Sequence, residues 1–155
     1  MPSIRSTIKR LQDDFPGYHF EVAGEFWWSA AAQTVYYDPK APSSQAFLLH
    51  ELSHAILAHE GYTRDIELLK LERDAWHYAK SVLSQEYDIA IDAELAEDNL
   101  DTYRQWLHNR STCPRCNTTG LQTKEQIYHC LACGHDWRVN EARLCALRRY
   151  SLQTK

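Results

Sequence analysis

The sequence predicts an α+β fold in two parts: helices with a small sheet, then a compact ribbon gathered by four cysteines. Three observations predict it. Apolar residues recur at helical spacing around one short β-rich stretch over most of the first 106 residues. His50-Glu51-Leu52-Ser53-His54 lies in an apolar helical run. Two Cys-x-x-Cys pairs, Cys113/Cys116 and Cys130/Cys133, stand 13 residues apart near the C-terminus. The expected domains are 1–108 and 109–155.

Taken in order, Ser3 to Asp14 reads as a helix with Ile4, Ile8 and Leu11 on one face, ended by Pro16-Gly17. His19 to Ala23 and Glu25 to Tyr37 read as extended segments, the second rich in aromatic residues. Pro42-Ser43-Ser44 reads as a helix start, with Ser43 or Ser44 as N-cap, and the helix runs from Gln45 to Glu60 with Gly61 as its stop. Arg64 to Ser84 forms the next helix, its buried face marked by Leu68, Leu71, Ala75, Ala79 and Val82. Ile89 to Trp106 forms another, and His108 to Thr112 reads as a linker. In the ribbon, Leu121–Thr123, Ile127–Cys130 and Asp136–Val139 read as short strands. Glu141 to Leu152 reads as a basic helix with Arg143, Arg148 and Arg149, and Cys145 as a buried thiol within it.

The chemistry concentrates on two clusters. Histidines four apart on a helix share a face, so His50 and His54 reach one ion while Glu51 points alongside. That pattern is the arrangement of a hydrolytic zinc site, with the metal acidifying a water and Glu51 taking its proton. A third protein ligand is expected. Glu72 falls on the buried face of the next helix, four residues after Leu68 and three before Ala75, where a carboxylate needs a partner. Asp74 is the second choice. His59 points away from the metal face on a continuous helix and reads instead as a C-terminal residue interacting with the helix dipole. An oxyanion donor is expected from Tyr78 or His77. The four cysteines, Cys113, Cys116, Cys130 and Cys133, have the spacing of a tetrahedral thiolate site, with Gly134 easing the second turn. The expected cofactors are therefore two Zn2+ ions, one catalytic and one structural.

The segment Glu72-Arg73-Asp74-Ala75-Trp76-His77-Tyr78-Ala79 resembles the Glu-x-Glu-Ala-Asn-x-Phe-Ala segment of the ImmA/IrrE metallopeptidases, a zincin-like family of the gluzincin type. The resemblance covers roughly Phe20 to Leu83. It implies His50, His54 and Glu72 as zinc ligands, Glu51 as base, and a protein substrate such as a DNA-bound transcriptional repressor. The chain departs from that pattern in three places. Asp74 replaces the second Glu, Trp76 replaces an Asn that would support a ligand, and Ser81-Val82-Leu83-Ser84 replaces the Leu-Leu-Met-Pro ending. The order of a His-Glu-x-x-His domain and a C-terminal ribbon also resembles SprT-like DNA-associated proteases, although those use a third His. A non-catalytic metal-binding regulator is the remaining reading, against which an intact Glu51 argues.

Composition bounds the partners. Residues 1–101 carry a net charge of −10 and residues 102–155 a net charge of +6. The acidic run 86–101 reads as a solvated helix face. The basic C-terminal part leaves three readings of the ribbon open: nucleic-acid contact, protein docking or a purely structural role. No stretch is apolar and long enough to span a bilayer, and no secretion signal is evident, so the expectation is a cytoplasmic protein without a membrane partner.

Overall fold

The computed structural model describes residues 2–142 and 147–153. It is an α+β chain with two small sheets. The chain divides into two compact units, one of Met1–Glu60 with Leu71–Ala96 and one of Gly61–Lys70 with Glu97–Lys155. This differs from the expected division at 108/109. The expected linker is helical: the helix Ala93–Ser111 runs through it. Arg110 near its end is buried, and its Nε lies 2.8 Å from the Asp65 carboxylate, so the helix closes inside a packed unit.

In the first unit, α1 (Ile4–Asp14) starts where Ser3 Oγ accepts the Ser6 N–H at 3.2 Å, an N-cap bond that satisfies one free helix donor. Ile8 and Leu11 bury its apolar stripe. The extended stretch 25–37 is broken in two by a turn with Gln33 at φ 48°. It gives β2 (Trp27–Ser29) and β3 (Thr34–Tyr37) beside β1 (His19–Val22). The order is β1-β3-β2, with β1 parallel and β2 antiparallel to β3. Strand β2 is thus an edge.

Helix α2 (Ser44–Ile56) packs against this sheet with Leu48, Leu49, Leu52 and Ala55 in the core. Neither serine caps it as expected. Ser43 sits at φ 56° with no side-chain cap bond, and Ser44 Oγ donates instead to Asp38 O at 2.6 Å. The helix also ends earlier than Glu60. Ala58 takes a left-handed conformation, φ 55°, its N–H bonds Ala55 O at 3.1 Å, and the His59 N–H bonds His54 O at 2.9 Å. These two bonds make a Schellman turn. Alanine in that position costs roughly 1–2 kcal/mol of steric strain, which is why the sequence gives no sign of it.

Helix α3 (Asp65–Tyr78) continues into a π-helical turn, Ala79–Leu83, and then α4 (Ser84–Tyr87). The wider π turn shifts the buried face by one residue. Leu83 is therefore buried and Val82, expected inside, is exposed.

In the second unit, α5 (Ala93–Ser111) leads to the sheet β4 (Leu121–Lys124), β5 (Ile127–His129), β6 (Asp136–Val139) and β7 (Arg149–Ser151), antiparallel throughout in that order. Strand β7 overturns the expected basic helix at 141–152: Arg148 and Arg149 precede or lie in an extended segment that covers the edge of β6. Arg143 and Cys145 lie outside the described residues. Tyr128 and Trp137 stack at 5.6 Å in the small core. Gly120 allows that core: a Cβ there would overlap the Trp137 ring and meet His129 O at 2.9 Å. Among the described residues no helix is long and apolar enough to cross a membrane.

Candidate metal centres

The first centre forms where α2 and α3 face one another. His50 and His54, one turn apart on α2, are both buried, and Glu72 on α3 is buried opposite them. His50 Nε2 lies 2.9 Å from Glu72 Oε2, His54 Nε2 lies 3.3 Å from Glu72 Oε1, and the two Nε2 atoms are 3.2 Å apart. Three groups of this kind in an apolar helix pair are costly unless something joins them. Burial raises the Glu72 carboxyl pKa, but hydrogen bonds and charge from His50 and His54 outweigh it and hold the group well below the usual carboxylate range.

The spacing fits a metal. Ligands about 2.0–2.1 Å from a tetrahedral ion lie about 3.3 Å from each other. The Nε2–Nε2 separation, 3.2 Å, is close to that edge, and Glu72 meets His50 through Oε2 at 2.9 Å and His54 through Oε1 at 3.3 Å. Two imidazole nitrogens aimed at each other at 3.2 Å also oppose one another if both carry protons. A cation accepting both lone pairs removes the conflict.

Glu51 completes the cluster. Its carboxylate, His50 and His54 offer ligand atoms within 4.8 Å of one another. Glu72 lies within hydrogen-bonding distance of both histidines, so two carboxylates, Glu51 and Glu72, stand at the histidine pair. Burial raises the Glu51 pKa, opposed by the charges of His50 and His54 and by a hydrogen bond from the Trp28 backbone N–H.

The outer faces of the two imidazoles are held differently. The His50 ring stacks on Trp76 at 4.2 Å and 24°, and its buried Nδ1 has no hydrogen-bond partner. Trp76 lies one turn after Glu72 and also meets Phe47 edge-on at 5.6 Å. His54 Nδ1 instead lies 2.9 Å from His59 Nδ1. The Schellman turn folds His59 back to that position, which corrects the expectation that it points away. Burial and the nearby His54 lower the His59 pKa.

The other candidates are elsewhere. Asp74 is about a third exposed and pairs with Arg73 at 2.8 Å. His77 is exposed, and Tyr78 packs against the hydrophobic core. Trp76 and His59 are the two site residues whose roles the sequence did not reveal. A histidine five residues past the second motif histidine was the only available signal for His59.

The second centre gathers all four expected cysteines within 4.8 Å. Cys113 and Cys133 Sγ atoms are 3.7 Å apart and those of Cys116 and Cys130 3.5 Å, far beyond a disulfide and close to the edge of a tetrahedral thiolate site, about 3.7 Å for metal–sulfur bonds of about 2.3 Å. The two knuckles repeat one another. Cys113 N–H bonds Thr118 O at 2.9 Å and Cys130 N–H bonds His135 O at 2.8 Å. Asn117 and Gly134 both take positive φ, 62° and 74°, and return their N–H groups to Cys113 O and Cys130 O. Asn117 thus does in the first turn what Gly134 does in the second. Hydrogen bonds from Thr118 pull the Cys116 thiol down to about 6. At Cys133 a backbone hydrogen bond from His135 lowers the pKa, but burial and the three neighbouring sulfurs push it up to about 12.

No family model matches this chain, and no curated protein or solved structure is detectably similar to it.

Proposed function

We propose that the chain is a zinc metallopeptidase of the ImmA/IrrE-like, zincin-like type, with the four-cysteine ribbon as a structural zinc site. One observation carries this reading: His50, His54 and Glu72 converge at separations close to those of metal ligands, and Glu51 brings a second carboxylate within 4.8 Å of the two histidine ligand atoms. A divalent metal bound there supplies a Lewis acid for a carbonyl oxygen and acidifies water. Glu51 takes the proton of the attacking water and passes it to the leaving amine, and its burial favours the protonated form between those transfers. Strand β2 supports a peptide substrate. It is an edge of the sheet on which the helix of His50, Glu51 and His54 packs, and an extended peptide pairs with such an edge. The stack of exposed Trp27 on Tyr36, 4.1 Å, stiffens that edge. The substrate class is thus a protein segment in extended form, such as a stretch of a transcriptional regulator. The four thiols suit a reducing, cytoplasmic compartment.

A second reading, a DNA-associated role through the ribbon, draws on one feature. Paired residues Lys124, Ile127, Arg138 and Tyr150 form a row across the four strands, with the Arg138 guanidinium 4.7 Å over the Tyr150 ring. A basic and aromatic sheet row suits single-stranded nucleic acid.

The test of the main reading is Glu51→Gln. Metal analysis of the wild type gives two zinc ions per chain and of the variant also two, while cleavage of unfolded casein falls by at least about 10²-fold, at the low end of general-base contributions. Casein cleavage by the variant at the wild-type rate, or a wild type that binds one zinc at the cysteines alone, rejects the peptidase.

A further inference from the structure

We propose that His59 is the positioning residue of the metal centre: its Nδ1 accepts the Nδ1 proton of His54 and fixes the His54 ring with Nε2 toward Glu72 and His50. The inference rests on the metal-site reading of His50, His54 and Glu72. Three observations carry it. His54 Nδ1 and His59 Nδ1 are 2.9 Å apart, so one donates and the other accepts. His54 Nε2 is the atom directed at Glu72 and His50, 3.3 and 3.2 Å away. A neutral imidazole that ligates through Nε2 carries its proton on Nδ1, so His54 is the donor and His59 the acceptor. The tautomer of His59 follows, with its own proton on Nε2.

The third observation is how His59 is placed. The same two residues are tied twice, ring to ring and through the backbone bond from His59 N–H to His54 O at 2.9 Å. The turn that makes the backbone bond forces Ala58 to φ 55°. Outer hydrogen bonds of this kind set the ring angle and basicity of a ligating histidine. His50 has no such bond; Trp76 clamps it by stacking. His59 thus supports His54 by a hydrogen bond where Trp76 supports His50 by stacking.

The alternative is a cation at a helix C-terminus interacting with the helix dipole, and the two roles respond differently to substitution. The full-length protein is compared with His59→Ala, His59→Lys and His59→Asn. Zinc affinity is measured by chelator competition, and cobalt spectra separate the intense thiolate bands of the ribbon from the weak bands of the nitrogen and oxygen site. Asparagine puts an acceptor oxygen where His59 has Nδ1; lysine keeps a cation but cannot accept. The expected result is zinc affinity at the histidine site about 10–100-fold weaker in the Ala and Lys variants and largely restored by Asn. The ribbon bands, unchanged in all variants, show that the chains are folded. Wild-type affinity in the Lys variant, or Asn no better than Ala, overturns the role of His59 and leaves the metal site standing. A wild type with no histidine-site cobalt band overturns the metal-site reading as well.

Discussion

Trp76 lies flat on the His50 imidazole, ring centres 4.2 Å apart, and the buried His50 Nδ1 makes no hydrogen bond. Packing has taken over what a polar side chain does elsewhere in such sites. A large ring restricts rotation of the imidazole and keeps water off it. It gives no control over which nitrogen holds the proton. The centre is thus supported unequally, by an aromatic wall at His50 and by a hydrogen bond at His54.

That difference predicts a graded response at Trp76. Trp76→Ala opens a cavity beside a fully buried position and is expected to cost about 3–5 kcal/mol of folding stability, with metal affinity at the histidine site falling too. Trp76→Phe keeps a ring on His50 and is expected to retain most of that affinity despite a smaller stability loss. Urea unfolding with and without added zinc measures both. Equal metal affinity in the Ala and Phe variants removes the stacked ring from the account of the site.

The ribbon offers a second check that involves no ionisable group of the first centre. Gly120 lies under the Trp137 ring and against His129 O. Gly120→Ala forces an overlap with a buried aromatic residue and a backbone carbonyl, neither free to withdraw. The expected cost is about 1–3 kcal/mol, as for overpacked cores. Thermal unfolding and the rate of zinc release from the cysteines report it. An unchanged melting temperature shows that the ring moves aside without cost.

Much of this architecture was legible from local patterns. His50, Glu51 and His54 follow from helix periodicity alone, and the four cysteines from their spacing. Glu72 was legible because a carboxylate on an apolar helix face requires a partner. The misses share a cause: each depends on backbone choices that side-chain patterns do not encode. Ala58 enters the left-handed region although alanine has no preference for it, and that turn carries His59 to His54. The π turn at Ala79–Leu83 exchanges Val82 for Leu83 inside the core. Strand β7 forms because β6 has an edge to pair, where the arginine-rich sequence alone suggested a helix.

A buried polar group in the ribbon unit sets the last expectation. Tyr128 Oη donates to Asp65 Oδ2 at 2.6 Å, and the same carboxylate takes Arg110 Nε at 2.8 Å. Burial raises the Tyr128 pKa above that of a free phenol, and the hydrogen bond and charge of Asp65 raise it further. The folded pKa exceeds the unfolded one, about 10, so this contribution to stability is fully present below pH 10. Above pH 10 the unfolded chain releases the phenolic proton and the folded chain does not, so stability falls as pH rises toward the folded value. Tyr128→Phe removes a hydrogen bond to a charged group, at a cost of about 1.5–3 kcal/mol at neutral pH. It should also flatten the decline between pH 10 and 11.5. Urea unfolding across that range compares the two proteins. Parallel curves would mean that Tyr128 ionises as readily folded as unfolded, and that its bond to Asp65 does not persist in solution.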